Sequence, residues 1–134
     1  MTEILIADDE PAMLRTMELL LEHRGLTVTT ASTGREVLHE LCRKTVAGEN
    51  FDAIILDIIM PDIDGWQVLQ AMQNNPLWKS IPVVVISGFA SGAQDYAHVM
   101  RYNGVLVEKK ENFTDVVGAV LDRLLAAKKN GTLT

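Results

Sequence analysis

Cysteine is almost absent: Cys42 stands alone in 134 residues, so no internal disulfide can form and packing must hold the chain together. That usage fits a reducing cytosol. Beside Leu38 and Leu41 in a helical pattern, Cys42 reads as a small buried thiol and not a reactive one. Positive charge is short as well, with 12 Lys and Arg against 18 Asp and Glu and a formal net charge of −6. Without a basic stretch the chain lacks the electrostatic footprint of direct nucleic-acid binding. No apolar run approaches the roughly 20 residues of a membrane helix. The N-terminus enters a strand almost at once, without the basic flank and cleavage pattern of a leader. His23, His39 and His98 are scattered without metal spacing and read as solvated helix residues. Internal repeats and low-complexity tracts are also missing.

What is present is enough for one core. A hydrophobic fraction of 48% over 134 residues suits a single domain, too short for two comfortable ones. We expect residues 1–127 to form it. The polar tail 128–134 contains Asn130-Gly131 and no apolar period; it is expected to fray, which favours a complete single-domain protein over a fragment of a longer one. Strand and helix signals alternate five times, the pattern of an α/β doubly wound parallel sheet covered on both faces. Pro11 starts a first helix carrying Met13, Leu14, Met17, Leu20 and Leu21, with Gly25 as its stop. Thr27 to Ala31 is a second strand, and Ser32 or Thr33 caps a helix with Val37, Leu38, Leu41 and Cys42 that ends near Gly48. Val68, Leu69 and Met72 mark a short third helix that stops before Asn75-Pro76. The weak stripe Ala93, Ala97, Val99, Met100 predicts a mobile fourth helix over 91–103, and Asn112 caps a fifth with Phe113, Val116, Val117, Val120, Leu121 and Leu124 on one face. The methionines and both tryptophans, Trp66 and Trp78, read as packing residues.

The chemistry gathers at strand ends. The run Ala53-Ile54-Ile55-Leu56 delivers Asp57 to a turn set by Pro61 and Gly65; Ile4 to Ala7 runs into Asp8-Asp9, Val83 to Ile86 into Ser87, and Val105 to Val107 towards Lys109. In an open parallel sheet these ends share the ligand-binding edge. Acids so placed repel one another, and a hard divalent cation such as Mg2+ relieves the repulsion while holding phosphate oxygens. Asp57 then serves as a nucleophile forming an aspartyl-phosphate, with Ser87 donating to one phosphoryl oxygen and Lys109 neutralising another. Asp8 and Asp9 can also act as plain helix-terminus acids, whereas Asp62 and Asp64 read as turn residues satisfying local backbone groups.

Ile4 to Pro11 (ILIADDEP), Ile54 to Gly65 (IILDIIMPDIDG), Val83 to Gly88 (VVVISG) and Val107 to Lys109 (VEK) together resemble the receiver domain of two-component response regulators, in order and spacing across nearly the whole chain. The resemblance implies a flavodoxin-like (βα)5 fold with strand order 2-1-3-4-5. It implies Mg2+, or Mn2+ in its place, bound by Asp9, Asp57 and the Ile59 carbonyl, with Asp8 acting through water. It implies a sensor histidine kinase or histidine phosphotransfer protein as donor, and a signalling role in the cytoplasm in place of enzyme turnover. Output, to a downstream protein or a second copy, would use the face of the fourth helix, fifth strand and fifth helix, centred near Tyr96, Val99 and Met100. Two departures stand out: Lys110 where the family usually has proline, and Leu106 where it usually has an aromatic. With lysine at 110 a trans Lys109–Lys110 bond is expected, with Lys109 less firmly aimed at Asp57. A pseudo-receiver that switches without phosphate is one alternative. A haloacid-dehalogenase-like phosphatase is another, disfavoured because its nucleophile follows the first strand in an Asp-x-Asp pattern and Ile59 holds the second acid's position here.

Overall fold

The strands are continuous Val, Ile and Leu runs because both faces of a parallel sheet are covered. The computed structural model describes residues 2–88, 97, 99, 101–102 and 104–129. Within it the strands are β1 (Glu3–Ala7), β2 (Thr27–Ala31), β3 (Ala53–Asp57), β4 (Val83–Ser87) and β5 (Gly104–Glu108). Every neighbouring pair is parallel, in the order β2-β1-β3-β4-β5, as the resemblance implied. Register sets the functional edge: Ala7 lies opposite Leu56, Asp57 opposite Ile86, and Ser87 opposite Glu108. The carboxyl ends of four strands therefore finish level.

The helices begin and end where local chemistry dictates. Helix α1 (Pro11–His23) has its proline in the first turn and is followed by Gly25 at φ 84°. Thr33, and not Ser32, caps α2 (Gly34–Val46) by accepting from the Glu36 N–H. Ser32 instead donates to the Glu36 carboxylate. Asp64 and Gln67 form a reciprocal capping box at α3 (Gly65–Gln73). Asp64 is thus a local backbone ligand, as expected of this turn, and Asp62 takes a positive φ of 68°. The C-terminal helix (Phe113–Lys129) runs two residues beyond the expected boundary at 127. Of the expected fourth helix, Ala97, Val99 and Arg101 are helical; Tyr96 and Met100 lie outside the described residues.

Alternate residues of each strand feed two cores. Ile4, Ile6, Ile55, Val84 and Ile86 pack with Met17 and Leu21 of α1 and Val117 and Leu121 of the C-terminal helix. Leu5, Ala7, Ile54, Leu56, Val83 and Val85 pack on the other face with Val37 and Leu41 of α2 and Val68, Leu69 and Met72 of α3. Each of these side chains except that of Ala7 contributes about 1.5–3 kcal/mol by leaving water.

Two expectations are corrected. Cys42 is exposed, because the buried stripe of α2 is Gly34, Val37, Leu41 and Lys44, and Cys42 lies one position off it. Lys44 takes the core place: its ammonium pairs with Glu3, reaches Glu49 at 3.7 Å and lies 5.3 Å from the Phe51 ring centre, while its stem fills apolar space. Val99 is fully buried against Gly104, so it belongs to the core and not to an outward face. Among the described residues, no helix is long and apolar enough to cross a membrane.

Candidate phosphoacceptor site

Asp57 closes β3 with its side chain buried at the shared edge. The loop beyond it is tied back tightly: the Gly65 N–H donates to the Ile58 carbonyl at 2.7 Å. Farther along the same loop, a Cβ at Gly34 would stand 1.9 Å from the Ile63 carbonyl. Glycine at 34 lets the start of α2 abut this loop. The sequence offered Pro61 and Gly65 as turn signals, but the role of Gly34 was missed, because nothing local marks a close approach from 29 residues earlier.

Asp8, Asp9 and Asp57 each bring a carboxylate oxygen within 4.8 Å of the others. Asp8 is buried and Asp9 exposed at the rim. The Asp8 Oδ1 accepts from the Glu10 N–H at 2.9 Å, so it braces the turn into α1 without capping the helix itself. Asp8 Oδ2 is buried and has no hydrogen-bond partner among the described residues. The Lys109 ammonium stands 3.1 Å from it, an ion-pair distance off the direction of a hydrogen bond. Lys109 also donates to Asp57 Oδ2 at 3.2 Å, so one ammonium spans two acids. Asp57 Oδ1 faces the Ile59 N–H at 3.4 Å, while the Ile59 side chain is 54% exposed beside the site. Ser87 is buried at the end of β4, its carbonyl accepting from the Lys109 N–H at 2.9 Å.

Burial, and then the negative charge of Asp8, push the Asp57 carboxyl up to about 6, against the opposing pull of Lys109 and the Ile59 N–H. Burial works to lower Lys109, but Asp8 and Asp57 outweigh it and raise the ammonium above its usual range. One lysine, paired with Asp8 and Asp57, stands against a cluster of three carboxylates, and the buried Asp8 Oδ2 has that ion pair but no hydrogen bond among the described residues. A hard oxygen donor set of this charge fits Mg2+ or Mn2+. The Lys109–Lys110 bond is trans, since no described peptide is cis. The expected looseness of Lys109 is corrected by its contacts with both acids.

Residues 4–120 match the response regulator receiver domain family. The chain belongs to that family. Chemotaxis protein CheV1 of Helicobacter pylori is 32% identical over 114 residues, spanning 84% of this receiver and 35% of CheV1. Transcriptional regulatory protein KdpE of Mycobacterium tuberculosis is 36% identical over 106 residues, spanning 72% of the receiver and 43% of KdpE. The receiver thus spans well under half the length of these curated relatives. Among solved structures, a response regulator receiver domain protein from Clostridium thermocellum superposes with a TM-score of 0.79 at 25% identity, over 96% of this chain and 98% of that one. The CheY-like receiver of Methanospirillum hungatei gives 0.78 at 24% identity, over 97% and 98%. It supports the fold alone.

Proposed function

We propose that Asp57 accepts a phosphoryl group from a phosphohistidine of a sensor kinase or phosphotransfer protein, and that the modified receiver signals through a changed surface. An Asp57 carboxylate oxygen attacks phosphorus, the P–N bond breaks, and the leaving imidazole takes up a proton. The observation that carries this reading is the Lys109 ammonium shared between Asp8 and Asp57, at 3.1 and 3.2 Å. It is a cation held at the acid where a phosphoryl oxygen would need one. Ser87 donates to a second phosphoryl oxygen. Asp9, Asp57 and the Ile59 carbonyl would hold Mg2+, with Asp8 acting through water. When bound, the metal supplies charge neutralisation between the carboxylates and the incoming phosphoryl oxygens.

Output is proposed at β5 and the C-terminal helix. A groove of about 310 Å³ runs there, lined by Val105, Leu106, Val107, Phe113, Val116 and Val120 and rimmed by Glu108, Lys110 and Glu111. Val116 is 49% exposed on it. A half-exposed valine above an edge strand suits a protein partner or a second copy. The net charge of −6 supports a protein-directed output from this chain over direct contact with nucleic acid.

Intact mass measurement after treatment with acetyl phosphate, with and without Mg2+, is the test. A single phosphoryl adduct that needs the metal and vanishes in Asp57→Asn is expected. An undiminished adduct in Asp57→Asn would place the nucleophile elsewhere, and no adduct in the parent would favour a receiver that switches without phosphate.

A further inference from the structure

Four consecutive residues outside the acidic cluster join the two loops that carry it. Between β2 and α2, the buried Ala31 accepts through its carbonyl from the Asp8 N–H at 3.1 Å, where the acidic pair leaves β1. Three residues later, the buried Gly34 abuts the loop that follows Asp57: a Cβ there would stand 1.9 Å from the Ile63 carbonyl oxygen and 2.8 Å from the carbonyl carbon. The obstacle is backbone, so no rotamer of Ile63 could relieve it. The residues between are fixed as well. Ser32 donates to the Glu36 carboxylate through its N–H at 3.3 Å and its hydroxyl at 2.9 Å, and Thr33 caps α2 by accepting from the Glu36 N–H at 3.1 Å. A short, hydrogen-bonded segment therefore stands between the Asp8 backbone and the loop 58–64.

We propose that the segment Ala31–Gly34 is a spacer that sets the separation of the two acid-bearing loops, with Gly34 a positioning residue for a divalent cation bound between them. The inference rests on reading Asp8, Asp9 and Asp57 as the site of that cation. The β1–β3 ladder ends with Ala7 opposite Leu56, so the acids lie just past the pairing that would otherwise fix their distance. They come within 4.8 Å of one another although like charges repel. Something beyond the ladder has to hold the loops at that spacing. The loop 58–64 is tied at its ends, by the Gly65 N–H on the Ile58 carbonyl at 2.7 Å and by the Asp64 capping box; between these ties it meets Gly34. An added methyl at 34 has two ways out. It pushes Ile63 from α2, or it lifts α2 and, through Ala31, the Asp8 backbone. Either movement changes the spacing of the oxygen donors, which governs how a hard cation is held.

Mn2+ binding without any phosphodonor, counted from the free-ion signal in electron paramagnetic resonance, tests this in the parent, Gly34→Ala and Gly48→Ala. Gly34→Ala should weaken binding by about tenfold or more, the scale on which groups behind the ligands act. Gly48 lies at the other end of α2, with φ 75° and open space where a Cβ would go. Alanine there strains the backbone and should lower the melting temperature while leaving Mn2+ affinity at the parental value. A merely structural glycine at 34 would behave the same way. Amide shifts of the metal-free protein give a second readout: those of Asp8, Asp9 and 57–60 should move in Gly34→Ala and stay parental in Gly48→Ala. Should Gly34→Ala not fold, Thr33→Val removes the cap without adding a methyl at the contact, and should move the same amides and weaken Mn2+ binding by a smaller factor. Parental Mn2+ affinity in a folded Gly34→Ala, or in Thr33→Val where only that variant folds, would overturn the proposal. A parent that binds no Mn2+ would instead count against the cation reading, and the amide shifts would still decide whether Gly34 spaces the two loops.

Discussion

A Cβ at Gly65 would come within 2.6 Å of the Asp57 carbonyl oxygen. It would meet the Ile58 Cα at 2.7 Å as well, so the first residue of α3 and the last of β3 can touch only because one has no side chain. Gly65→Ala must push the acceptor strand and the helix apart. The expected cost is about 1–3 kcal/mol, as for other overpacked sites, and the displaced backbone should also slow phosphoryl uptake at Asp57. Denaturant unfolding and intact mass kinetics would check the two effects. An alanine variant with parental stability would mean that the loop relaxes freely.

Asp57 gives the metal-free protein a pH dependence of defined sign. Its folded-state pKa of about 6 lies above the ordinary value of 3.8, so protonation favours the fold. The stabilisation is fully present below the unfolded value and is lost as pH rises through about 6. At pH 7.5, Asp57→Asn should therefore be more stable than the parent by about 1–2 kcal/mol. That figure is reduced from the full shift because the open rim beside Asp9 admits screening water. The difference should shrink towards zero near pH 4. Paired melts across this range in a chelating buffer would show it, and a parent more stable than the variant at pH 7.5 would contradict the electrostatics.

The phosphorylated state should be long-lived. Ile59 stands exposed beside Asp57 with no group that can orient a water for attack on phosphorus. Ile59→Asn supplies such a group and should hasten loss of the phosphoryl group several-fold. Decay of the adduct followed by mass gives the rate, and an unchanged rate would show that access is set elsewhere. Phe89, which the receiver resemblance implies flanks the phosphoryl group together with Ile59, lies outside the described residues; adding Phe89→Glu to the variant extends the same experiment to it.

Leu106 is buried in the core cluster that also holds its β4 neighbour Val85 and Val99, and carries no ring or hydroxyl to exchange between wet and dry positions. Coupling to the output face should therefore run through 88–102, and Leu106 should stay in place. Amide exchange with and without beryllofluoride should show changes in 88–102 and along the β5 groove. Changes confined to α1 and α2 would refute this route.

Much of this was readable from residue types, and the reasons are specific. Asp8, Asp57, Ser87 and Lys109 were found because each ends an apolar run, and a parallel sheet brings such ends to one edge. The strands were unambiguous, since Val83 to Ile86 or Ile54 to Leu56 has no alternative to burial on both faces. Side-chain allocation on helices was less legible. Cys42 was expected to be buried because hydrophobicity ranks a thiol above an ammonium, whereas the helical angle exposes it and buries Lys44 two positions on, beside Glu3 and Phe51. Val116 was assigned to a buried face and is half exposed because the groove beside β5 opens there.

The separation of the site residues along the chain has one more consequence. Asp8, Asp57, Ser87 and Lys109 arrive from four strands, and an unfolded or truncated copy would present Asp57 without the lysine that is 52 positions away. On the proposed reading, phosphoryl acceptance would certify folding. A damaged copy would then drop out of the signal silently without reporting a false one, and phosphoryl from a donor would go only to molecules able to pass it on.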